Sequence, residues 1–205
     1  MKFYIPISIG NPKFCSANVK KVANYLQMKD ASLTIVLFDS LRVLTNVIKG
    51  DDYLEAERKA EVTTVDTQRM LYKIFEGYQN DVEILRSARL AKDVNVSRIR
   101  RMVVRYLESN KEAFALVNAR SYNVLRRMGL EKTAYRMFLE QQYIIEETSV
   151  SLSILTNKKI KSELYIKKES GLIDYIFENP SDFSDESILA NGRRFLSWPE
   201  VGIEC

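Results

Sequence analysis

The chain has 205 residues, 46 % apolar and 28 % charged, with a formal net charge of +4. That is the composition of an ordinary globular domain, long enough to bury one core. It contains no histidine, which excludes a Ser-His-Asp triad, a Cys-His pair and a histidine-ligated metal, and leaves acid–base work to Glu, Asp, Tyr, Lys or the substrate itself. No apolar run approaches the roughly 18 residues of a membrane span, and the apolar stretch before Gly10 is too short for a secretory signal. Cys15 and Cys205 lie near opposite ends of the chain and form neither a zinc spacing nor a disulfide framework. A reducing, cytoplasmic location is therefore expected, with no metal, no cofactor and no membrane partner.

Residues 2–9 read as a first strand. It ends in Ser8-Ile9-Gly10-Asn11-Pro12, where Gly10 permits backbone angles that a larger residue resists and Asn-Pro stops the strand. Helix-start amides beside such a turn can hold negative charge. Residues 16–28 read as a helix, with Ser16 as its expected N-cap and Val19, Val22, Ala23 and Leu26 on one face. Ser32–Phe38 is a continuous apolar run rich in β-branched residues, as a buried parallel strand should be, and it stops at Asp39-Ser40. Strand, helix and strand within 40 residues make a βαβ unit. After the break at Gly50-Asp51-Asp52, a long charged helix is expected over Tyr53–Tyr78, then a third strand over Asp81–Ser87.

From about Val94 the pattern turns helical. Helices are expected over Val96–Glu108, Glu112–Met128 and Glu131–Glu147, followed by a short strand at Ser162–Ile166, a helix at Leu172–Phe177 and an edge strand at Arg194–Trp198. There is no internal repeat. This alternation predicts an α/β fold, one domain over residues 1–205, with a mainly parallel sheet and a helical layer inserted late.

Charge is unevenly spread. Arg86–Met128 holds eleven basic and three acidic residues, a net of +8, whereas Glu169–Cys205 holds two basic and eight acidic, a net of −6. A basic middle suits a polyanion docked on one face. Arg98, Arg101 and Arg105, spaced three and four apart, share one face of their helix, opposite Ile99, Val103 and Leu107. Three unpaired guanidinium groups cannot be core, so that face meets solvent, acidic residues or a polyanion.

Four groups stand out by position. Ser8 ends the first strand, and Asp39-Ser40 ends the second, so Ser8 and Ser40 are expected to line one pocket. Tyr143 and Glu147, four apart, share a helical face. Tyr165 lies in a later strand. In this order, Ile7-Ser8-x-Gly10-Asn11, the strand ending Asp39-Ser40, the run Glu55-Ala56-Glu57-Arg58, Tyr143-x-x-x-Glu147 and Tyr165 resemble the tRNA-dependent cyclodipeptide synthases. The similarity spans nearly the whole chain and is densest over residues 3–60. The ordered set carries it, not any single motif.

The resemblance implies a Rossmann-like domain similar to the catalytic domain of class I aminoacyl-tRNA synthetases, and formation of a diketopiperazine from two aminoacyl-tRNAs. It places Ser8 at the nucleophile that accepts the first aminoacyl group. It places Tyr143 and Glu147 at the pair that holds the amino group, with Glu147 also in proton transfer, and Tyr165 at a residue fixing the pocket. Asn11, Gly10, Tyr4, Pro6, Phe38 and Ser40 are implied as substrate-binding positions, with aminoacyl-tRNAs as the partners of a monomer. Such chemistry suits a chain without histidine, because the substrate is already an activated ester and the serine needs positioning and oxyanion stabilisation more than a strong base. No GxxxxGK phosphate loop is present, in keeping with a reaction that uses neither ATP nor metal.

Two positions depart from the family. Tyr165-Ile166 stands where Tyr-His or Tyr-Pro is usual, and Pro6 stands where a glycine often precedes the serine. The family's basic helix is not basic here over Tyr53–Tyr78, so Arg98, Arg101 and Arg105 are expected to bind tRNA instead. Two competing readings of the same residues are a synthetase-like nucleotide-binding enzyme, using the Gly10 turn for a phosphate, and a non-catalytic tRNA-binding module in which Ser8 is structural.

Overall fold

The computed structural model describes residues 2–157, 162–165, 171–179, 183 and 194–197, with the backbone alone for 156–157, 162–165 and 194–197. Five strands form one sheet in the order β3-β2-β1-β4-β5. They are β1 (Lys2–Ile7), β2 (Ser32–Leu37), β3 (Val82–Arg86), β4 (Ser162–Tyr165) and β5 (Arg194–Ser197). Every pairing is parallel. The chain leaves β1 toward β2 and β3 on one side and reaches β4 on the other, so the strand order reverses at the C-terminal end of β1. In open α/β sheets that reversal opens the crevice where ligands bind.

Side chains alternate across β1. Phe3, Ile5 and Ile7 enter a core with Val19, Val22 and Leu26 of α1 (Ser16–Gln27) and Leu71 and Phe75 of α3 (Tyr53–Phe75). Tyr4, on the opposite face, packs with Val36, Phe38 and Leu41 and with Val150 and Ile154 of α7 (Ala134–Asn157). The helical layer between β3 and β4 consists of α5 (Val94–Ser109), α6 (Lys111–Arg127) and α7, after a single turn of α4 (Ser87–Leu90). In α5, Ile99, Val103 and Leu107 are buried while Arg98, Arg101 and Arg105 are exposed, as the helical spacing requires. α8 (Leu172–Glu178) closes that layer through Leu172 and Ile176.

Two expectations are corrected, and one helix is added. The second strand stops before Asp39-Ser40 as expected, and Asp39 opens a helix the sequence reading did not include, α2 (Asp39–Lys49), whose amphipathic run lies between the second strand and the Gly50 break. The helix expected to stop at Glu147 continues for ten residues as α7, because Thr148, Ser149, Ser151 and Ser153 are buried along with the apolar residues between them. Ser16 is the first residue of α1 and not its cap; Cys15 takes the cap position without a side-chain bond.

The ends of β2 and β3 are tied by Asp39, which is 3 % exposed. Its Oδ1 accepts from the Ser40 amide at 3.1 Å, the Ser87 hydroxyl at 2.9 Å and the Ala88 amide at 2.8 Å, and Arg86 Nε donates to its Oδ2 at 2.6 Å. Removing this acceptor strands several buried donors. Asp39→Ala is expected to destabilise the fold by about 3 kcal/mol or more, read from urea unfolding monitored by circular dichroism.

Candidate active site

Ser8 follows the last residue of β1 and begins a tight turn in which the Asn11 amide donates to the Ser8 carbonyl at 3.2 Å. Gly10 sits in that turn at φ +76°, a left-handed value that glycine adopts without strain. The Asn11 side chain accepts from the Lys13 amide at 3.0 Å and so caps a short 3₁₀ turn at Pro12–Phe14. Asn11 is thereby committed to shaping the turn.

Across the crevice, α7 presents a stripe of polar groups. The side chain of Tyr143 lies beside Ser8, close enough for the serine to act on it. One turn on, Glu147 Oε2 accepts from Arg120 Nη2 of α6 at 2.8 Å. One turn further, Ser151 shares a hydrogen bond of 3.0 Å with the hydroxyl of Tyr4, which is fully buried. Two turns before Glu147, Glu140 is 3 % exposed and feels both Arg120 and Glu147. The helical spacing of 140, 143, 147 and 151 brings all four to one face.

The electrostatics follow from burial. Tyr143 is held well above the ordinary tyrosine value, first by desolvation and then by the Glu147 carboxylate, with Ser8 and Arg120 pulling the other way. It remains a neutral phenol that can pass hydrogen bonds on. Glu140 is pushed up to about 7, chiefly by burial and further by Glu147, against the opposing pull of Arg120. One guanidinium thus faces two buried carboxyls.

Ser40 does not join this network. Its hydroxyl bonds Glu146, the neighbour of Glu147 on α7, and Ser87 at 2.6 Å. Ser8 lies beside Tyr143, whereas the hydrogen bonds of Ser40 go to Glu146 and to the Asp39–Arg86–Ser87 cluster at the neighbouring strand end. Successive residues of a helix point about 100° apart, which sends Glu146 and Glu147 to separate networks. Glu146 lines a cavity of about 560 Å³ between α5 and α7, together with Arg100, Arg101 and Arg105. Pro6 and Phe38 are buried beneath the crevice. Tyr165 is placed in β4, paired in register with Ser197; its side chain, Ile166 and Cys205 lie outside the described residues. Among the described residues no cluster of metal-ligating side chains occurs, and no helix is long and apolar enough to cross a membrane.

Sequence reasoning missed Glu140 as a member of the site and Arg120 as the partner of Glu147. The signal for Glu140 was present as Glu140-x-x-Tyr143-x-x-x-Glu147, a polar stripe in a helix otherwise rich in apolar residues. Nothing local marks Arg120, which belongs to another helix.

Compared by sequence, the chain matches no protein-family model and no curated protein. Compared by fold, it is similar to a cyclodipeptide synthase from Fluoribacter dumoffii, with a TM-score of 0.79 at 20 % identity over 96 % of this chain and 89 % of that one. It is also similar to a cyclodipeptide synthase from Candidatus Glomeribacter gigasporarum bound to Phe-tRNAPhe, with a TM-score of 0.68 at 16 % identity over 97 % of this chain and 87 % of that one. A mitochondrial tyrosyl-tRNA synthetase from Coccidioides posadasii follows at a TM-score of 0.54 and 11 % identity, over 95 % of this chain and 58 % of that one. The chain has the α/β fold of the tRNA-synthetase-like proteins. Within that class its fold is that of the cyclodipeptide synthases.

The raised Glu140 makes stability depend on pH. Its folded pKa of about 7 lies above the ordinary carboxyl value of 4.5, so the folded chain binds the extra proton between those values. Stability falls as pH rises through that window and stays lower above it. Glu140→Gln is expected to remove this slope and to stabilise the protein at pH 8 by about 1–3 kcal/mol, measured by urea unfolding at pH 5 and pH 8.

Proposed function

We propose that the protein is a cyclodipeptide synthase, joining the aminoacyl groups of two aminoacyl-tRNAs into a cyclic dipeptide through an aminoacyl ester of Ser8. The observation that carries this reading is the placement of Ser8 beside Tyr143 at the reversal point of the sheet, with Glu147 one turn along the same helix. The likeness of the fold to a cyclodipeptide synthase bound to Phe-tRNAPhe supports it.

The chemistry proceeds by transfer between esters. Ser8 Oγ attacks the carbonyl of the first aminoacyl ester; the Oγ–C bond forms, the bond to the ribose oxygen breaks, and the serine proton leaves with that oxygen through the Tyr143 hydroxyl. Splitting one transfer into two in this way is the logic of covalent catalysis. The amine of the Ser8-bound residue then attacks the ester carbonyl of the second aminoacyl-tRNA, forming a peptide bond and releasing that RNA with its ribose hydroxyl; the new terminal amine attacks the Ser8 ester carbonyl, which closes the ring and returns the serine hydroxyl. Each attacking amine must first give up a proton from its ammonium form. Glu147 is the carboxylate within reach of Tyr143 for that exchange, and Arg120 keeps it oriented.

The tRNA docks on α5. On α3, Arg58, Lys59 and Arg69 are engaged with Glu55, Asp51 and Asp66 at 2.8, 2.7 and 3.6 Å. On α5, Arg101 and Arg105 make no ion pair among the described residues, and both line the cavity that leads to Glu146. With Arg98 they present a phosphate-binding face whose contacts are independent of base sequence.

Two measurements test this reading. Ser8→Ala is expected to abolish both cyclic dipeptide and the aminoacyl adduct seen by intact-mass spectrometry, with an unchanged circular dichroism spectrum; an adduct that persists in the variant overturns the assignment. Charge reversal at Arg98, Arg101 and Arg105 together is expected to weaken tRNA binding and to flatten the log–log salt dependence by about one unit per lost contact. An unchanged slope removes α5 from the RNA interface.

A further inference from the structure

Arg42 lies in the first turn of α2, the helix that follows β2 on the side of the sheet where Ser8 meets α7. Its guanidinium rests directly on the Ser8 turn: a methyl group added at Gly10 would lie 2.9 Å from both Cζ and Nη1 and 3.2 Å from Nη2. Its Nε is buried without a hydrogen-bond partner, and among the described residues the side chain makes no ion pair. The contrast with its neighbours is chemical. Arg86 is held by Asp39 and Glu61, Arg120 by Glu147, and Arg136 by the carbonyls of Ile48 and Glu131. A buried charged donor left unpaired is costly, so a guanidinium kept against a bare glycine, two residues beyond a reactive serine, calls for an anion that arrives with the substrate.

We infer that Arg42 binds the phosphodiester of the terminal nucleotide of the acyl-carrying RNA and thereby positions the ester over Ser8. This rests on the aminoacyl-ester reading of Ser8. The acyl group sits on the ribose of that nucleotide, a few bonds from its 5′ phosphate, so a cation on the Ser8 turn reaches the phosphate while the carbonyl meets the hydroxyl. The turn's ends lie within about 7 Å of each other, which keeps both contacts inside one nucleotide. The planar fork of arginine suits a phosphate, which accepts two parallel N–H bonds. Gly10 serves this arrangement twice, by taking the left-handed φ and by leaving room for the guanidinium. Arg42 is thus a positioning residue that acts on the leaving RNA, whereas the α5 face holds phosphates farther from the reacting carbonyl.

The test uses two small esters that bypass the α5 face. The whole protein is acylated with an aminoacyl ester of adenosine, which has no phosphate, and with the same ester of the dinucleotide CpA, which has one. The aminoacyl group is the one that intact aminoacyl-tRNA transfers fastest to Ser8, and the readout is the rate of adduct formation by mass spectrometry. The CpA ester is expected to be favoured about ten- to a hundredfold by the wild-type protein, the worth of one charge-assisted contact. In Arg42→Gln the ratio should fall to about one, and in Arg42→Lys, which keeps charge without the fork, part of it should survive. A ratio unchanged in Arg42→Gln overturns the inference, as does an equal loss on both esters, which would assign Arg42 to the carbonyl or to the turn itself. If no aminoacyl-tRNA labels wild-type Ser8, the ester reading fails first and this inference falls with it.

Discussion

The site depends on one ion pair between two helices. Glu140 and Glu147 are both buried on α7, and the guanidinium of Arg120 of α6 faces them. Without it, nothing on α6 would offset the burial of Glu140 beside a second carboxyl in a low-dielectric interior. With it, Glu147 has a charged partner at 2.8 Å and the burden of desolvation falls on Glu140. The pair also sets where α6 sits against α7, because a buried charge tolerates little displacement of its partner. Tyr143, between the two glutamates, inherits its environment from both: burial and Glu147 keep it a phenol, and its hydroxyl is left to engage Ser8.

Sheet topology supplies the other half of the site. Since β1 is central and the connections depart to opposite sides, its C-terminal end opens on a crevice instead of being covered by its own crossover. Alternation along β1 then divides labour between residues one apart. Odd positions join the core with α1 and α3, and even positions face α7, which is why Ser8 can meet Tyr143 while Ile7 and Ile9 hold the turn in the core. The Asp39 cluster performs a separate task at the same edge, locking the ends of β2 and β3 and the start of α2. That lock fixes α2, and with α2 the side chain of Arg42 over Gly10.

The amphipathic helices have two different surfaces. On α3, Arg58 and Lys59 pair with Glu55, and Arg69 with Asp66, along the helix, so much of the basic charge on that surface is neutralised locally. On α5 the apolar face packs into the helical layer through Ile99 and Val103, and the opposite face gathers arginines beside a cavity. A charge census treats these helices alike in kind; their pairing makes only one of them a field directed outward.

How much of this was legible in the sequence follows the range of the forces involved. The strands β1 and β2, the turn at Gly10 and the faces of α5 were readable because a period of 2, a period of 3.6 and a glycine's conformational freedom are written in neighbouring residues. The grouping of Tyr143 with Glu147 was readable for the same reason, and Glu140 belonged to that stripe though it was overlooked. The strand stop at Asp39-Ser40 was readable but the helix it opens was not, and the last ten residues of α7 were missed because buried serines and threonines resemble a loop until their carbonyl and tyrosine partners are known. The pairing of Glu147 with Arg120, the bonds of Ser40 to Ser87 and Glu146 and the seat of Arg42 on Gly10 were decided only in three dimensions. Each joins residues distant in the chain, and which carboxylate a buried guanidinium meets depends on packing angle and depth, quantities that no local pattern encodes.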